Sequence, residues 1–248
     1  LIMGLCFLLA TILGGLDVVI NVQSARALNV LWMMLIYLFQ AFGEEVMYRG
    51  SLMMAVARKN GPWIAIVASS FLFSLHHYSN GGYGPVAFVN LFLLAVLLGM
   101  VTFLTNRIWA AGAIHAAWNF FQGNVFGVNV SGATPDPATA LMFSTAKGNA
   151  LVSGGDMGLE GSIASTVVLA VAIVVLVVIC LRRKAGTSQE ADVPSIDAPA
   201  PNARTPKAPT SKAPASNART TKAPTSKAPA SSARGAGKAS EGARHLRG

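Results

Sequence analysis

Charged side chains are scarce in this chain: 12% of its 248 residues are Asp, Glu, Lys or Arg, against roughly 25% in an average soluble domain. With 53% hydrophobic residues, that shortage excludes a soluble enzyme. Cysteine is nearly absent. Cys6 and Cys180 sit in apolar runs, with neither C-x-x-C nor zinc-ribbon spacing, and read as small membrane-embedded hydrophobes. Residues 182–248 hold no aromatic side chain, so all 12 Phe, 4 Tyr and 4 Trp lie in the first 181 residues.

Charge divides at the same point. The first 181 residues carry six basic groups (Arg26, Arg49, Arg58, Lys59, Arg107, Lys147) and six acidic ones (Asp17, Glu44, Glu45, Asp136, Asp156, Glu160). The tail carries 13 basic against four acidic residues, and so owns the whole net charge of +9. A pI near 10 raises the question of nucleic acid. The basic part has no aromatic platform and no motif, so no nucleic-acid partner is expected.

What is present is long apolar runs. A transmembrane helix needs about 20 mostly apolar residues, and segments 1–20, 27–47, 62–78, 85–105 and 162–181 approach this. A sixth, 108–127, is interrupted by His115, Asn119, Gln122 and Asn124. The runs lack the two-residue alternation of barrel strands. The expectation is an all-α, polytopic transmembrane bundle of about six spans, with 128–161 as a flexible extramembrane loop. Arg182-Arg183-Lys184, Arg107 and Arg58-Lys59 fall on one side of that topology, which puts the tail in the cytoplasm. The lipid bilayer is thus a partner, and a bacterial cytoplasmic membrane is the expected location.

The tail from 182 contains a 15-residue repeat, 202–216 recurring as 217–231. Its Lys-Ala-Pro steps favour extended, solvated chain and are expected to be disordered. The chain opens on Leu1 with no charged stretch before its first apolar run. It therefore makes a poor signal peptide, and an incomplete N-terminus is expected.

Three constellations carry chemistry. Glu44-Glu45-x-x-x-Arg49 places three ionisable groups near the end of an apolar helix, each costing about 2.5–3.5 kcal/mol at the bilayer centre. Glu45 and Arg49 share a helix face and can pair. Glu44 points about 100° away and is free to face something else. The helix after Pro62 carries Phe73 and His77 on one face, beside His76. A third helix carries His115 and Asn119 four residues apart. Taken singly, these groups read as an interfacial helix end, a satisfied histidine and interhelical glue. Together, on three helices, they mark a polar bundle interior.

Glu-Glu-x-x-x-Arg, Phe-x-x-x-His and His-x-x-x-Asn, in that order on successive hydrophobic helices, resemble the CAAX-protease and bacteriocin-processing (CPBP/Abi) family of intramembrane proteases. That family includes the type II CAAX prenyl endopeptidase and lysostaphin-resistance-like proteins. The resemblance covers residues 28–127. It implies an endopeptidase in which Glu44 and His77 activate a water while His115 and Asn119 stabilise the oxyanion. Glu45, Arg49 and Phe73 would be structural support. Substrates implied are peptides or proteins at the membrane, CAAX-type or bacteriocin-related. The repeat tail is not a family feature.

Zinc is the candidate cofactor, with Glu44, His77 and His115 as ligands by type. There is no His-Glu-x-x-His helix, and a metal-free reading is preferred. Two other function classes compete: a haem b protein with His77 and His115 as axial ligands, and a proton-coupled transporter with Glu44 as its titrating site. The haem reading leaves Glu44, Glu45 and Arg49 without a role. The transport reading predicts internal repeats, and the six runs show none.

Overall fold

A computed structural model describes residues 1–190. Helix α1 (Ile2–Ile12) leads to strand β1 (Leu16–Ile20), then to α2 (Ala27–Glu45). From α2 the chain passes through π-helical turns (Val46–Met53) into α3 (Met54–Asn60). Next come α4 (Pro62–His76), α5 (Pro85–Thr105) and α6 (Ile108–Phe120), the last ending in π-helical turns (Phe121–Val125). Strand β2 (Met142–Ala146), the single turn α7 (Ala150–Ser153) and α8 (Ile163–Glu190) complete the described chain. Pro62 and Pro85 open their helices, where a missing N–H costs nothing.

Among the described residues, three stretches are helical, long and apolar enough to cross a membrane: Ala27–Asn60, Pro85–Thr105 and Ile163–Arg182. They differ in what surrounds them. In α5, 56% of the most apolar window is buried within the protein, against 11% for Ala27–Asn60 and 17% for α8. Helix α5 is therefore the central post, whereas Leu31, Trp32 and Phe39 on α2 and Val167, Val171 and Val174 on α8 point outward. An apolar surface of that extent suits lipid, not water. The chain is an integral membrane protein.

Among the described residues, three of the six expected spans are not membrane-length helices. Segment 1–20 is not one helix. Its α1 has 11 residues, about 16 Å at 1.5 Å per residue, and stops where Gly14 turns to φ +75°, a conformation that favours glycine. Beyond it β1 pairs antiparallel with β2, Leu16 opposite Ala146 through Ile20 opposite Met142, so the described chain is mostly but not wholly helical. Helices α4 and α6, with 15 and 13 residues, are each shorter than a ~30 Å hydrocarbon core.

The 128–161 segment, expected as a flexible loop, contains β2 and folds against the helices. Val130 bridges to both Ala133 and Gly158, while Met157 and Leu159 are fully buried in the apolar core. Gly158 makes that packing possible. Its φ is +78°, and a Cβ there would lie 1.9 Å from the Asn129 carbonyl oxygen.

Helix α8 continues to Glu190, past the predicted end of the last span at 181. The rest of the expected tail, with its repeats, lies outside the described residues. Cys6 is fully buried beside Met3, Ala10 and Leu98, as its apolar setting predicts.

Candidate active site

The first motif sits where α2 gives way to π-helical turns, a local widening often found at functional sites. Glu45 and Arg49 are both fully buried and joined at 2.8 Å. The guanidinium also donates to the Ala95 carbonyl of α5 at 3.1 Å and lies over the Phe73 ring, 4.6 Å from its centroid. Burying an arginine requires its charge to be paired; Glu45 pairs it and both terminal nitrogens are engaged, while Nε has no hydrogen-bond partner. These contacts also tie α2, α4 and α5 together at one point.

Phe73 is the hub of the second motif. Its ring centroid lies 4.9 Å from that of His77 and 5.7 Å from that of His115. At His77, Nδ1 is 2.9 Å from the Phe73 carbonyl oxygen one turn back. His77 is buried. His76 is exposed and packs its ring against Tyr48.

The third motif meets the first directly. His115 Nδ1 lies 2.9 Å from Glu45 Oε1, and Nε2 lies 3.8 Å from Glu44 Oε2. Because Glu45 as a carboxylate only accepts, Nδ1 carries the proton and the ring is fixed with Nε2 toward Glu44. Glu45 thus does more than support the helix register expected of it: it also orients His115. Glu44 keeps one carboxylate oxygen, Oε2, buried with no hydrogen-bond partner. Its other oxygen accepts from Gln40 Nε2. Gln40 Oε1 in turn accepts from Asn119 Nδ2 at 2.9 Å.

Residues 26–121 match the family model described as type II CAAX prenyl endopeptidase Rce1-like. The similarity to that family covers 96 of the 248 residues. No curated protein and no solved structure is significantly similar to it. The matched segment begins just before α2 and ends at the π-helical turns after α6, so it holds all three motifs. The description of that model is of an endopeptidase, an enzyme that hydrolyses peptide bonds.

The residues singled out in the sequence come together: Glu44, Glu45, Arg49, Phe73, His115 and, through Gln40, Asn119 form one contact network, which His77 joins through Phe73. Zinc finds no ready cage among them. Among the described residues, no three His, Cys, Asp or Glu side chains converge as a metal would require; the bond from Nδ1 to Glu45 leaves Nε2 as the His115 nitrogen that could ligate.

Two polar residues were not singled out. Gln40 stands one helical turn before Glu44, a spacing that could have flagged it. Glu160, in the turn before α8, is the other. It is buried, and its Oε2 accepts from the Ser131 N–H at 2.7 Å and hydroxyl at 2.8 Å. Burial pushes its carboxyl above the usual range, against the opposing pull of Ser131 and the nearby His77.

Proposed function

We propose that the chain is an intramembrane endopeptidase using Glu44 as general base. The observation that carries this reading is the unpartnered Oε2 of Glu44, buried and facing His115 Nε2 at 3.8 Å. A base with one oxygen engaged by Gln40 and the other free takes a proton from water with little reorganisation.

The third motif supplies the oxyanion site in this reading. Asn119 gives one N–H to Gln40 and keeps a second, and His115 stands one turn before it on α6 with its ring held by Glu45. Polar groups so placed suit the oxyanion formed when water adds to a peptide carbonyl. In the first step the water oxygen bonds to the carbonyl carbon and its proton passes to Glu44, with His77 assisting. In the second the C–N bond breaks and the leaving amine takes that proton back. No step is drawn through zinc.

Substrates in this reading are peptide or protein segments at the membrane, either CAAX-type C-termini or bacteriocin-related peptides cut in processing or self-immunity. The haem alternative has less support, since the Phe73 ring packs against both imidazoles where a macrocycle would need space. Mass spectrometry of new peptide termini, comparing membrane and secreted fractions of cells expressing wild type or Glu44→Gln at matched levels, tests the reading. Termini seen only with the wild type support it and reveal the scissile bond. Cleavage that persists undiminished in Glu44→Gln overturns the mechanism.

A further inference from the structure

Two anchors hang from α5, a helix that carries none of the three motifs. The Ala95 carbonyl holds Arg49. Five residues earlier, buried Asn90 donates to the carbonyl oxygens of Glu160 and Ser162, both at 2.8 Å, and its own oxygen accepts from the Thr166 hydroxyl at 2.7 Å. The turn before α8 is therefore pinned to the central post, and Gly158 lets it close onto Asn129.

From that turn the Glu160 carboxylate reaches two places. Oε2 takes both donors of Ser131, and Oε1 accepts from the Trp118 indole N–H at 3.3 Å. Trp118 is 3% exposed. It follows His115 by three residues and precedes Asn119 by one on α6. Fixing its indole fixes the rotation of the helix that presents both. A carboxylate is an expensive way to hold a tryptophan in a buried place, and it lies outside the family-matched segment.

We propose that Glu160 is a positioning residue for the peptidase centre: anchored to α5 through Asn90, it holds α6 through Trp118 and the 128–131 backbone through Ser131, and so sets where His115 and Asn119 stand relative to Glu44. This inference rests on the peptidase reading for its catalytic consequence but not for its geometry. Motif 1 and motif 3 are thereby referenced to the same helix, the first through Ala95 and the third through Asn90. The 128–161 segment acts as a strut from α5 to α6.

The test uses the full chain in lipid nanodiscs, with two readouts. The first is the imidazole nitrogen NMR signal of ¹⁵N-histidine-labelled protein, assigned with His77→Ala and His115→Ala. Glu160→Gln, which keeps the volume and removes the charge, should move the His115 resonances, and Trp118→Phe should reproduce that movement. Unmoved His115 resonances overturn the proposal. The second is cleavage of an internally quenched prenylated CAAX-type peptide. Glu160→Gln should lower kcat about tenfold with KM unchanged, the signature of misplaced reacting groups. A raised KM at unchanged kcat would instead make Glu160 a substrate contact and also overturn the proposal. Should wild type and Glu44→Gln be equally inert on every substrate, the peptidase reading fails while the His115 resonances still decide the role of Glu160. If Glu160→Gln does not fold, Trp118→Phe and Ser131→Ala each remove one of its bonds and replace it in both assays.

Discussion

Replacing Arg49 by Ala should separate stability from catalysis. Arg49 and Glu45 are both fully buried at 2.8 Å, and removing one partner of such a pair costs about 3–5 kcal/mol because the other charge is left behind. The contact with Phe73 at 4.6 Å adds about 0.5–2 kcal/mol. Taking roughly 4–6 kcal/mol together and about 2–4 °C per kcal/mol for a chain of this size, Tm should fall by about 10–20 °C. Glu45 would keep only His115 as partner. The revealing variant is the double one, Arg49→Met with Glu45→Leu. Replacing a buried pair by apolar side chains is often neutral or stabilising, so most of the lost Tm should return. Activity should not, because His115 Nδ1 has lost the acceptor that orients it. Thermal unfolding in detergent beside a cleavage assay reads both. A single Arg49→Ala protein melting within about 2 °C of wild type would refute the energetic argument. A fully active double variant would refute the role given to Glu45.

The other expectations are narrower. Glu44→Gln keeps the bond to Gln40 but cannot take a proton, so cleavage should drop by about 10²–10⁴ with Tm unchanged. Gln40→Leu breaks the link from Asn119 to Glu44 and should lower kcat about tenfold or more, whereas unchanged kcat would show the link to be idle. For Glu160, the raised carboxyl means that the folded state binds its proton more tightly than the unfolded state does. Its stabilising contribution is complete below the unfolded value of about 4.3 and is lost as pH rises through the raised folded value. Tm measured across that window should therefore decline with pH more steeply in wild type than in Glu160→Gln, and equal slopes would exclude the titration.

Much of the site was legible in the sequence because its parts are local. Glu45 and Arg49, Phe73 and His77, and His115 and Asn119 each lie four apart, and helix geometry alone puts each pair on one face. Charge inside an apolar run also announces itself through its cost in lipid. Gln40 obeys the same spacing to Glu44 but is neutral, and an uncharged amide on an apolar helix raises no such alarm.

The spans were less legible. Residues 1–20 are apolar throughout, and hydropathy does not distinguish a membrane helix from a short helix followed by a strand. That outcome hangs on the pairing of Leu16–Ile20 with Met142–Ala146, more than a hundred residues away. Glu160 was hidden for the same reason. In a Gly-rich stretch a lone carboxylate reads as solvated, and only the approach of Ser131, Trp118 and Asn90 from three other parts of the chain buries it.

The sequence by itself thus determined a membrane-embedded helical protein with three polar motifs, because hydropathy and the 3.6-residue turn act over a few neighbouring residues. Tertiary structure alone decided that His115 stands between Glu44 and Glu45, that α5 is the common post, and that the 128–161 segment bonds to α5 and α6. Those are contacts between residues 29 to 76 positions apart, which no local periodicity encodes.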